Sequence, residues 1–164
     1  MNDVVWMHGH TTRHPEKGYV ELDLEWREAG KEEDHYLGRA TVFLFNTRRH
    51  TWEEVQEAAK DLSLDVENTI GTLEHTYADS HTHGLVAVMQ HFEICLEHQG
   101  KGYGTRFLEE ILDSLDYMEI CCVGVMPKYV TPKPNHDERI RKMFQKKGFA
   151  EVEREEREVM ARTL

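Results

Sequence analysis

A glycine-rich turn, Gln99-Gly100-Lys101-Gly102-Tyr103-Gly104, is the segment of this sequence that points most directly to chemistry. An apolar run over residues 85–96 precedes the turn and predicts a buried strand. The apolar residues after it recur at helical spacing: Tyr103, Phe107, Leu108, Ile111, Leu112 and Leu115. A strand, a glycine turn and a helix in this order direct backbone N–H groups and the positive end of the helix dipole at one spot. Because Lys101 adds a positive charge, the turn predicts a site for a phosphorylated cofactor.

Two common phosphate-binding motifs do not fit this turn. A dinucleotide-binding fingerprint requires G-x-G-x-x-G early in a βαβ unit, whereas the glycines here are residues 100, 102 and 104. A P-loop requires G-x-x-x-x-G-K-[ST], which the sequence does not contain. An ordinary tight turn is the remaining alternative.

Two ionisable residues, His91 and Glu93, interrupt the apolar run before the turn. Strand alternation predicts that Met89, His91, Glu93 and Cys95 share one face, and a β-bulge would reverse that order. Burying an ionisable group is costly unless it is paired or used in chemistry. Glu93 and His91 are therefore candidate bases, and a purely structural ion pair is the alternative.

The spacing Gln99-x-x-Gly102-x-Gly104 resembles the Q/R-x-x-G-x-G/A pyrophosphate loop of the GNAT superfamily of acyl-CoA-dependent N-acyltransferases. The downstream order is similar too, with a strand at 118–125, a helix at 137–147 and a last strand at 158–164. The helix resembles the pattern N-x-x-A-x-x-x-Y-x-K-x-G-F, whose positions hold Asp137, Ile140, Phe144, Lys146, Gly148 and Phe149. The last three match the pattern and the first three depart from it. The resemblance covers residues 85–164 well and the first 84 residues in outline.

The resemblance implies an α/β (α+β) fold of the GNAT type. Such a fold has a mixed, mostly antiparallel twisted sheet with helices on both faces, and its central strands splay at the cofactor cleft. Residues 1–164 would form one domain, in which 1–84 shape the acceptor side and 85–164 bind acyl-CoA.

The resemblance also implies how acetyl-CoA, or another acyl-CoA, is held. The pantetheine arm would pair with the backbone of Ile94, Cys95 and Leu96. The pyrophosphate would lie on the loop formed by Gln99, Gly100, Lys101, Gly102, Tyr103, Gly104 and Thr105, and Asp137 and Phe144 complete the expected set. Many members use a Tyr at the Phe144 position to protonate the leaving thiolate, which Phe cannot do. Either Tyr117 or Tyr129 replaces it, or the thiolate leaves unassisted.

The composition is that of a globular protein in a reducing compartment. The chain has 164 residues, 39% of them hydrophobic, and no apolar run approaches the roughly 18 residues of a membrane span. Its first residues do not resemble a secretory signal. Cys95, Cys121 and Cys122 fall in predicted strands, where adjacent cysteines point to opposite faces and are poorly placed to bridge. We expect a cytoplasmic protein with packing cysteines and no thiol nucleophile.

A formal net charge of −11 argues against nucleic-acid binding, which calls for a basic surface. The charge suits a cationic acceptor, and a solvated acidic surface is the alternative explanation. The pairs His8-x-His10 and His81-x-His83 have metal-chelating spacing but no close third ligand, so we expect no metal site. The sequence leaves the oligomeric state open, a homodimer included.

In the first half, alternation predicts strands over residues 18–27 and 36–45, which form a hairpin. The capping box Thr51-Trp-Glu-Glu54 begins a helix, and Asp65 is expected to cap a second. Residues 77–84 read as a polar loop. Two helices after the hairpin differ from the usual GNAT layout, which places them between the first two strands. A proline-rich loop at 129–135 would overhang the acceptor mouth.

The resemblance implies an N-acetyltransferase that transfers an acyl group from acetyl-CoA to a primary amine. The acceptor would be a protein or peptide amine, a polyamine or another small cationic amine, and it would attack the thioester directly. A GNAT-fold protein that binds CoA and acts through a protein partner is the alternative, which the departures at Phe144 and Asp137 favour.

Overall fold

The computed structural model describes residues 4–14, 16–78, 83–127, 136–154 and 157–164, which form a seven-stranded sheet covered by four α-helices. The strands are β1 (Val5–His14), β2 (Tyr19–Glu28), β3 (His35–Asn46), β4 (Leu85–Ile94), β5 (Ile120–Val125), β6 (Ala150–Arg154) and β7 (Arg157–Thr163). The helices are α1 (Trp52–Leu62), α2 (Leu64–Tyr77), α3 (Tyr103–Tyr117) and α4 (His136–Lys146). A short 3₁₀ helix (Leu96–His98) follows β4.

The strand order across the sheet is β1-β2-β3-β4-β5-β7-β6. The pairing of β4 with β5 is parallel, and the other neighbouring strands described pair antiparallel. The parallel pair needs a crossover connection, which α3 supplies. This mixed, mostly antiparallel sheet with helices on both faces confirms the predicted fold class.

Each face of the sheet carries its own hydrophobic core. Helices α3 and α4 pack on one face through residues such as Phe107, Ile111 and Phe144. Helices α1 and α2 pack on the other through Val55, Ala59, Val66, Ile70 and Leu73, each at most 1% exposed. The helical stripe that the sequence predicted after the glycine turn is confirmed in α3, and the two helices expected after the hairpin are α1 and α2.

One contact joins the N-terminal strands to α3. The indole of Trp26, fully buried on β2, stacks on Phe107 of α3 with ring centroids 4.3 Å apart and planes 10° apart. Its Nε1–H donates to a carboxylate oxygen of Glu110 at 2.8 Å. The helix that starts at the glycine loop is thereby fixed to β2 by stacking and by a charge-assisted hydrogen bond.

The sequence missed two strands and misplaced one helix cap. Strand β1 was not predicted, because its exposed histidines and threonines mask the alternation, and neither was the five-residue β6. Three strands, not two, therefore precede the helices. The capping box at Thr51 and Glu54 is confirmed. The cap of α2, however, is Ser63, whose hydroxyl accepts from the Val66 amide, so the assignment of Asp65 as cap was wrong.

Among the described residues, no helix is both long and apolar enough to cross a membrane. His8 and His10 lie exposed on β1, and His81 falls outside the described residues. Within the described ranges, no group of three or more potential metal-binding side chains comes together.

Helix α2 approaches β5 closely because residue 124 is glycine. A Cβ atom there would lie 2.7 Å from Cγ2 of Thr69 and 3.2 and 3.3 Å from the two Cδ atoms of Leu73. A side chain at this position would push α2 away from the sheet. The absence of a side chain at Gly124 thus sets the height of α2 above β5.

We predict that Gly124→Ala destabilises the protein by about 1–3 kcal/mol, the usual cost of overpacking a core. Urea unfolding measures the change. Thr69→Ser removes the methyl group that lies closest, so Gly124→Ala should cost less in a Thr69→Ser background. Equal costs in both backgrounds would show that α2 is not held at this contact.

Candidate functional site

Strands β4 and β5 part halfway along β4. Their registered pairs run from Leu85 opposite Ile120 to Met89 opposite Val125, whereas β4 continues to Ile94. A cavity of about 220 Å³ opens where the strands separate. Its described lining consists of Asp65, Val66, Thr69, Val88, Met89, Gln90, His91, Phe92, Val125, Met126, Pro127, Ile140 and Phe144. The splayed strands that the sequence predicted are therefore present, and they enclose a cleft.

A β-bulge at His91 bends β4 beside this cavity. Gln90 pairs with Thr41 and Glu93 with Arg39, so β4 has one residue more than β3 between these pairs. His91 accommodates the extra residue with a φ of 55°, which is rare for a residue other than glycine. Strain of this kind concentrates at functional sites.

The bulge reverses the faces that simple alternation predicted. Phe92 and Ile94 join Met89 in the core on the α3 and α4 side, whereas Gln90 and Glu93 belong to the opposite face. The prediction that Met89, His91, Glu93 and Cys95 share one face was wrong for this reason. His91 lines the cavity, and Glu93 is not among the lining residues described.

Glu93 is held by an arginine on the neighbouring strand. Its carboxylate accepts a hydrogen bond from Nε of Arg39 at 2.5 Å, and this contact raises the pKa of the Arg39 guanidinium. Burial is the main cause that raises the pKa of the nearby Tyr36 phenol, followed by the electrostatic effects of Cys95 and Glu93. The structural ion pair that the sequence left open for Glu93 is therefore present.

The glycine loop ends at the N-terminus of α3, where the N-cap residue Gly102 makes no side-chain cap. Gly102, in the left-handed conformation with φ 85°, is the N-cap of α3, and the first turn contains no acidic residue. A Cβ atom at Gly100 or Gly102 would meet no atom of the described residues within 4 Å, so these residues leave the space above the loop open. The first amide groups of α3 are thus available to an anion beside the exposed Lys101. Among the residues of the loop, these features fit a pyrophosphate group.

The side chain of Gln99 ties the loop to the end of β4. Its Nε2 donates to the carbonyl oxygen of Ile94 at 3.0 Å. The Cys95 amide donates to the Leu37 carbonyl on β3 at 2.8 Å, so that amide faces away from the cleft. Leu96 begins the 3₁₀ helix and is 58% exposed. The N–H of Cys95 is therefore engaged by β3, and the pairing of the Ile94, Cys95 and Leu96 backbone with a pantetheine arm stays a prediction.

The other loop residues predicted to bind cofactor lie at the start of α3. Tyr103 stacks on Phe107, and a Cβ atom at Gly104 would lie 3.2 Å from Sδ of Met143 on α4. Thr105 lies in the first turn and is exposed. Their contacts with a cofactor stay predictions.

Phe144, which replaces the Tyr of the family pattern, lies in the cavity wall. It is 1% exposed and packs edge-to-face against Phe92, at 6.1 Å, and against Phe149, at 5.1 Å. Tyr117, considered as a substitute acid, is 90% exposed at the far end of α3, about 20 Å from the loop, so that suggestion was wrong. Tyr129 and the loop at 129–135 fall outside the described residues, and so does the side chain of Asp137 in the first turn of α4.

Asp65 is a cavity-lining residue that the sequence analysis considered only as a helix cap. It lies in the first turn of α2 and reaches the cavity from the face opposite α3 and α4. A carboxylate at the predicted start of a helix suggested only a cap. The sequence signal that could have indicated its position is the pair of polar residues Ser63 and Asp65 at the start of α2. Ser63 accepts a hydrogen bond from the side chain of Gln90 on β4.

The cysteines show no sign of an activated thiol. All three are free, and burial raises the pKa of Cys122 to about 12. Burial is also the main cause that raises the pKa of Cys95, followed by Glu97 and Glu93. The prediction that Cys95 lies within a strand was wrong, because β4 ends at Ile94, one residue earlier. Raised pKa values reduce the thiolate fraction at neutral pH, which disfavours nucleophilic roles.

Solved structures show the same architecture at low sequence identity. An agmatine N-acetyltransferase matches with a TM-score of 0.55 and 11% identity, over 87% of this chain and 74% of its own. A polyamine N-acetyltransferase of Drosophila melanogaster that forms N-acetylagmatine matches with a TM-score of 0.54 and 10% identity, over 85% and 74%. An N-acyl amino acid synthase from uncultured soil microbes matches with a TM-score of 0.52 and 9% identity, over 98% and 91%.

No protein-family model matches the sequence, and a search of curated proteins gives no match. The likeness lies in the three-dimensional structure. The chain therefore has the fold of the GNAT acetyltransferases.

Proposed function

We propose that this protein transfers an acyl group from acyl-CoA, acetyl-CoA in the first instance, to a primary amine. The observation that carries the proposal is the continuity of the cleft with the loop. β4 leaves β5 after Met89, bulges at His91 and ends at Ile94, and α3 starts nine residues later at Tyr103. An elongated ligand with an anionic end would lie along this path. The solved structures of similar fold include enzymes that acetylate agmatine and polyamines.

The residues suited to hold acyl-CoA are on the loop and the end of β4. Backbone amides of Gly102 to Thr105 and the charge of Lys101 would bind the pyrophosphate, and the open edge of β4 would bind the pantetheine arm. The bound thioester supplies an activated carbonyl carbon. Phe92 and Phe144 would keep water away from it, because both line the cavity with aromatic rings.

His91 is the better placed of the two proposed bases. It lies in the cavity wall at the bulge, whereas Glu93 is engaged by Arg39. An amine that arrives as ammonium must lose a proton before its nitrogen can attack, and a neutral imidazole accepts a proton near pH 7. We propose His91 as this acceptor and Glu93 as the residue that braces β4 against β3.

Phe144 gives a specific reason to consider a second function. An apolar ring occupies the position where the family pattern has a proton donor, so a protein that binds CoA without transfer is the alternative. A thiol with a pKa of about 8–9 still leaves tolerably near neutral pH. Release of free CoA with a panel of primary amines distinguishes the two. CoA binding without release under any amine would establish the alternative.

We predict that acetyl-CoA at a hundredfold its dissociation constant stabilises the protein by about 2.7 kcal/mol. For a chain of this size that is a rise of about 5–10 °C in melting temperature, measured by scanning fluorimetry. Lys101→Glu should reduce the rise, since it places a negative charge beside the pyrophosphate.

Lys60→Glu is the matched control, because Lys60 is an exposed residue in the last turn of α1 and makes the same change of charge away from the loop. Equal melting shifts in the two variants would place the pyrophosphate elsewhere. Lys101→Glu avoids the contact with Met143 that a side chain at Gly104 would make.

We predict that His91→Gln lowers kcat by about 10²–10⁴-fold, the usual contribution of a positioned base, with acetyl-CoA affinity retained. The deficit should shrink as the pH approaches the pKa of the amine, because more acceptor then arrives deprotonated. Steady-state kinetics between pH 6 and about 10 measure both effects.

Glu93→Gln is the companion variant and should slow turnover less than His91→Gln does. If Glu93→Gln lowers kcat strongly and His91→Gln does not, Glu93 is the proton acceptor and His91 is the structural residue. Two fast variants would leave proton removal to water.

A further inference from the structure

Strand β1 is an edge of the sheet, and among the described strands only β2 pairs with it. The two strands pair over ten residues without a register shift. Proteins usually protect a long edge strand with a bulge, a proline or a lysine, because its unpaired N–H and C=O groups can bind another strand. Strand β1 contains none of these, so its outer edge is suited to pairing.

Alternate residues of β1 direct their backbone groups to this outer edge. The Ala29 amide donates to the Val4 carbonyl, so the even-numbered residues of the strand are hydrogen-bonded to β2. The odd-numbered residues then point outward, and Arg106 of α3 accordingly donates to the carbonyl of Val5. Gly9 lies at the middle of the outward-pointing series.

His8 and His10 flank this glycine on one face of the sheet. Val5 and Met7 pack against the core beneath α3, so the two histidines project from the opposite face. Both are exposed, and their imidazoles make no hydrogen bond or ion pair within the described part of the chain. They are therefore available as metal ligands.

Two carboxylates lie beside the histidines on β2. The register places Glu25 opposite His8 and Asp23 opposite His10. Glu25 is paired with Arg27 at 3.0 Å, whereas Asp23 accepts from the neutral hydroxyl of Thr41 at 3.2 Å. The negative charge of Asp23 is thus left to favour a cation above this face.

A second copy of the chain supplies the ligands that one copy lacks. When two β1 strands pair antiparallel about Gly9, His8 faces the partner's His10, and His10 faces the partner's His8. Positions opposed in this way have Cβ atoms about 4.5–5.5 Å apart, and residues two apart in one strand are separated by roughly 7 Å. Four imidazoles at this spacing surround one point, which suits the four-coordinate geometry of zinc.

We propose that β1 carries a zinc site that forms between two copies of this chain, with His8 and His10 of each copy as its ligands. The net charge of −11 on each copy opposes pairing, and the cation offsets this repulsion where the strands meet. The expectation of no metal site considered a single chain, and the edge position of β1 changes it. The cleft lies between β4 and β5, so the site is independent of the proposed acyl transfer.

Sedimentation velocity of the full chain with and without zinc chloride tests the proposal. The EDTA-treated protein should sediment as a monomer of 19.3 kDa, and zinc should double that mass. A calorimetric titration should saturate at one zinc ion for two chains. His8→Gln and His10→Gln should each stay monomeric at the zinc concentration that dimerises the wild type.

His75→Gln is the matched control, because His75 is an exposed histidine in the last turn of α2 and should not affect the dimer. Equal melting temperatures in EDTA show that the variants fold, and His8→Thr, with a side chain favoured in strands, replaces a Gln variant that melts lower. A wild type that stays monomeric with zinc overturns the proposal. So does a dimer that forms equally well in EDTA or with His8 replaced.

A further pair of variants tests the strand pairing itself. Thr11 is exposed and its amide points outward, so Thr11→Pro removes that donor and leaves both histidines in place. Two hydrogen bonds are lost per dimer, and the zinc-dependent dimer should weaken by about 10–100-fold. Thr11→Ala keeps the amide and should dimerise as the wild type does. Equal dimerisation of the two Thr11 variants would mean that zinc bridges the copies without strand pairing, which overturns the proposed geometry.

Discussion

The parting of β4 from β5 is the constraint on which the rest of this structure depends. Backbone N–H and C=O groups in a sheet require hydrogen-bond partners. A strand that extends beyond its neighbour leaves the groups on that part of its edge without strand partners. Here the paired segment ends at Met89 and Val125. The side-chain amide of Gln99 donates a hydrogen bond to the Ile94 carbonyl, which attaches the start of the glycine loop to the unpaired edge of β4. Cleft and loop are consequences of the same interruption.

Much of this arrangement could be predicted from the sequence, because it depends on local patterns. The glycine turn, the capping box at Thr51 and the apolar stripes of the helices each follow from residues close together in the chain. The sequence did not predict which side chains of β4 point to which face of the sheet. One extra residue at His91 reverses every side chain beyond it, and an alternating pattern gives no sign of a bulge.

The position of Asp65 in the cavity wall was hidden for a different reason. Its position in the cavity depends on how close α2 lies to β5, which Gly124 determines from some sixty residues away along the chain. Contacts between distant segments do not appear in local periodicity. Strand β1 was missed likewise, since its partner β2 stabilises it while its exposed His and Thr residues weaken the pattern.

Trp26 gives the molecule an internal optical reporter. The indole is fully buried against Phe107, whereas Trp6 and Trp52 are partly exposed, so the bluest part of the tryptophan emission should come from this one ring. Its partner helix starts at the glycine loop, and its indole N–H is bonded to that helix at Glu110. Any ligand that tightens or shifts α3 would change the environment of the ring. Fluorescence of the unlabelled protein can therefore follow events at the loop in real time.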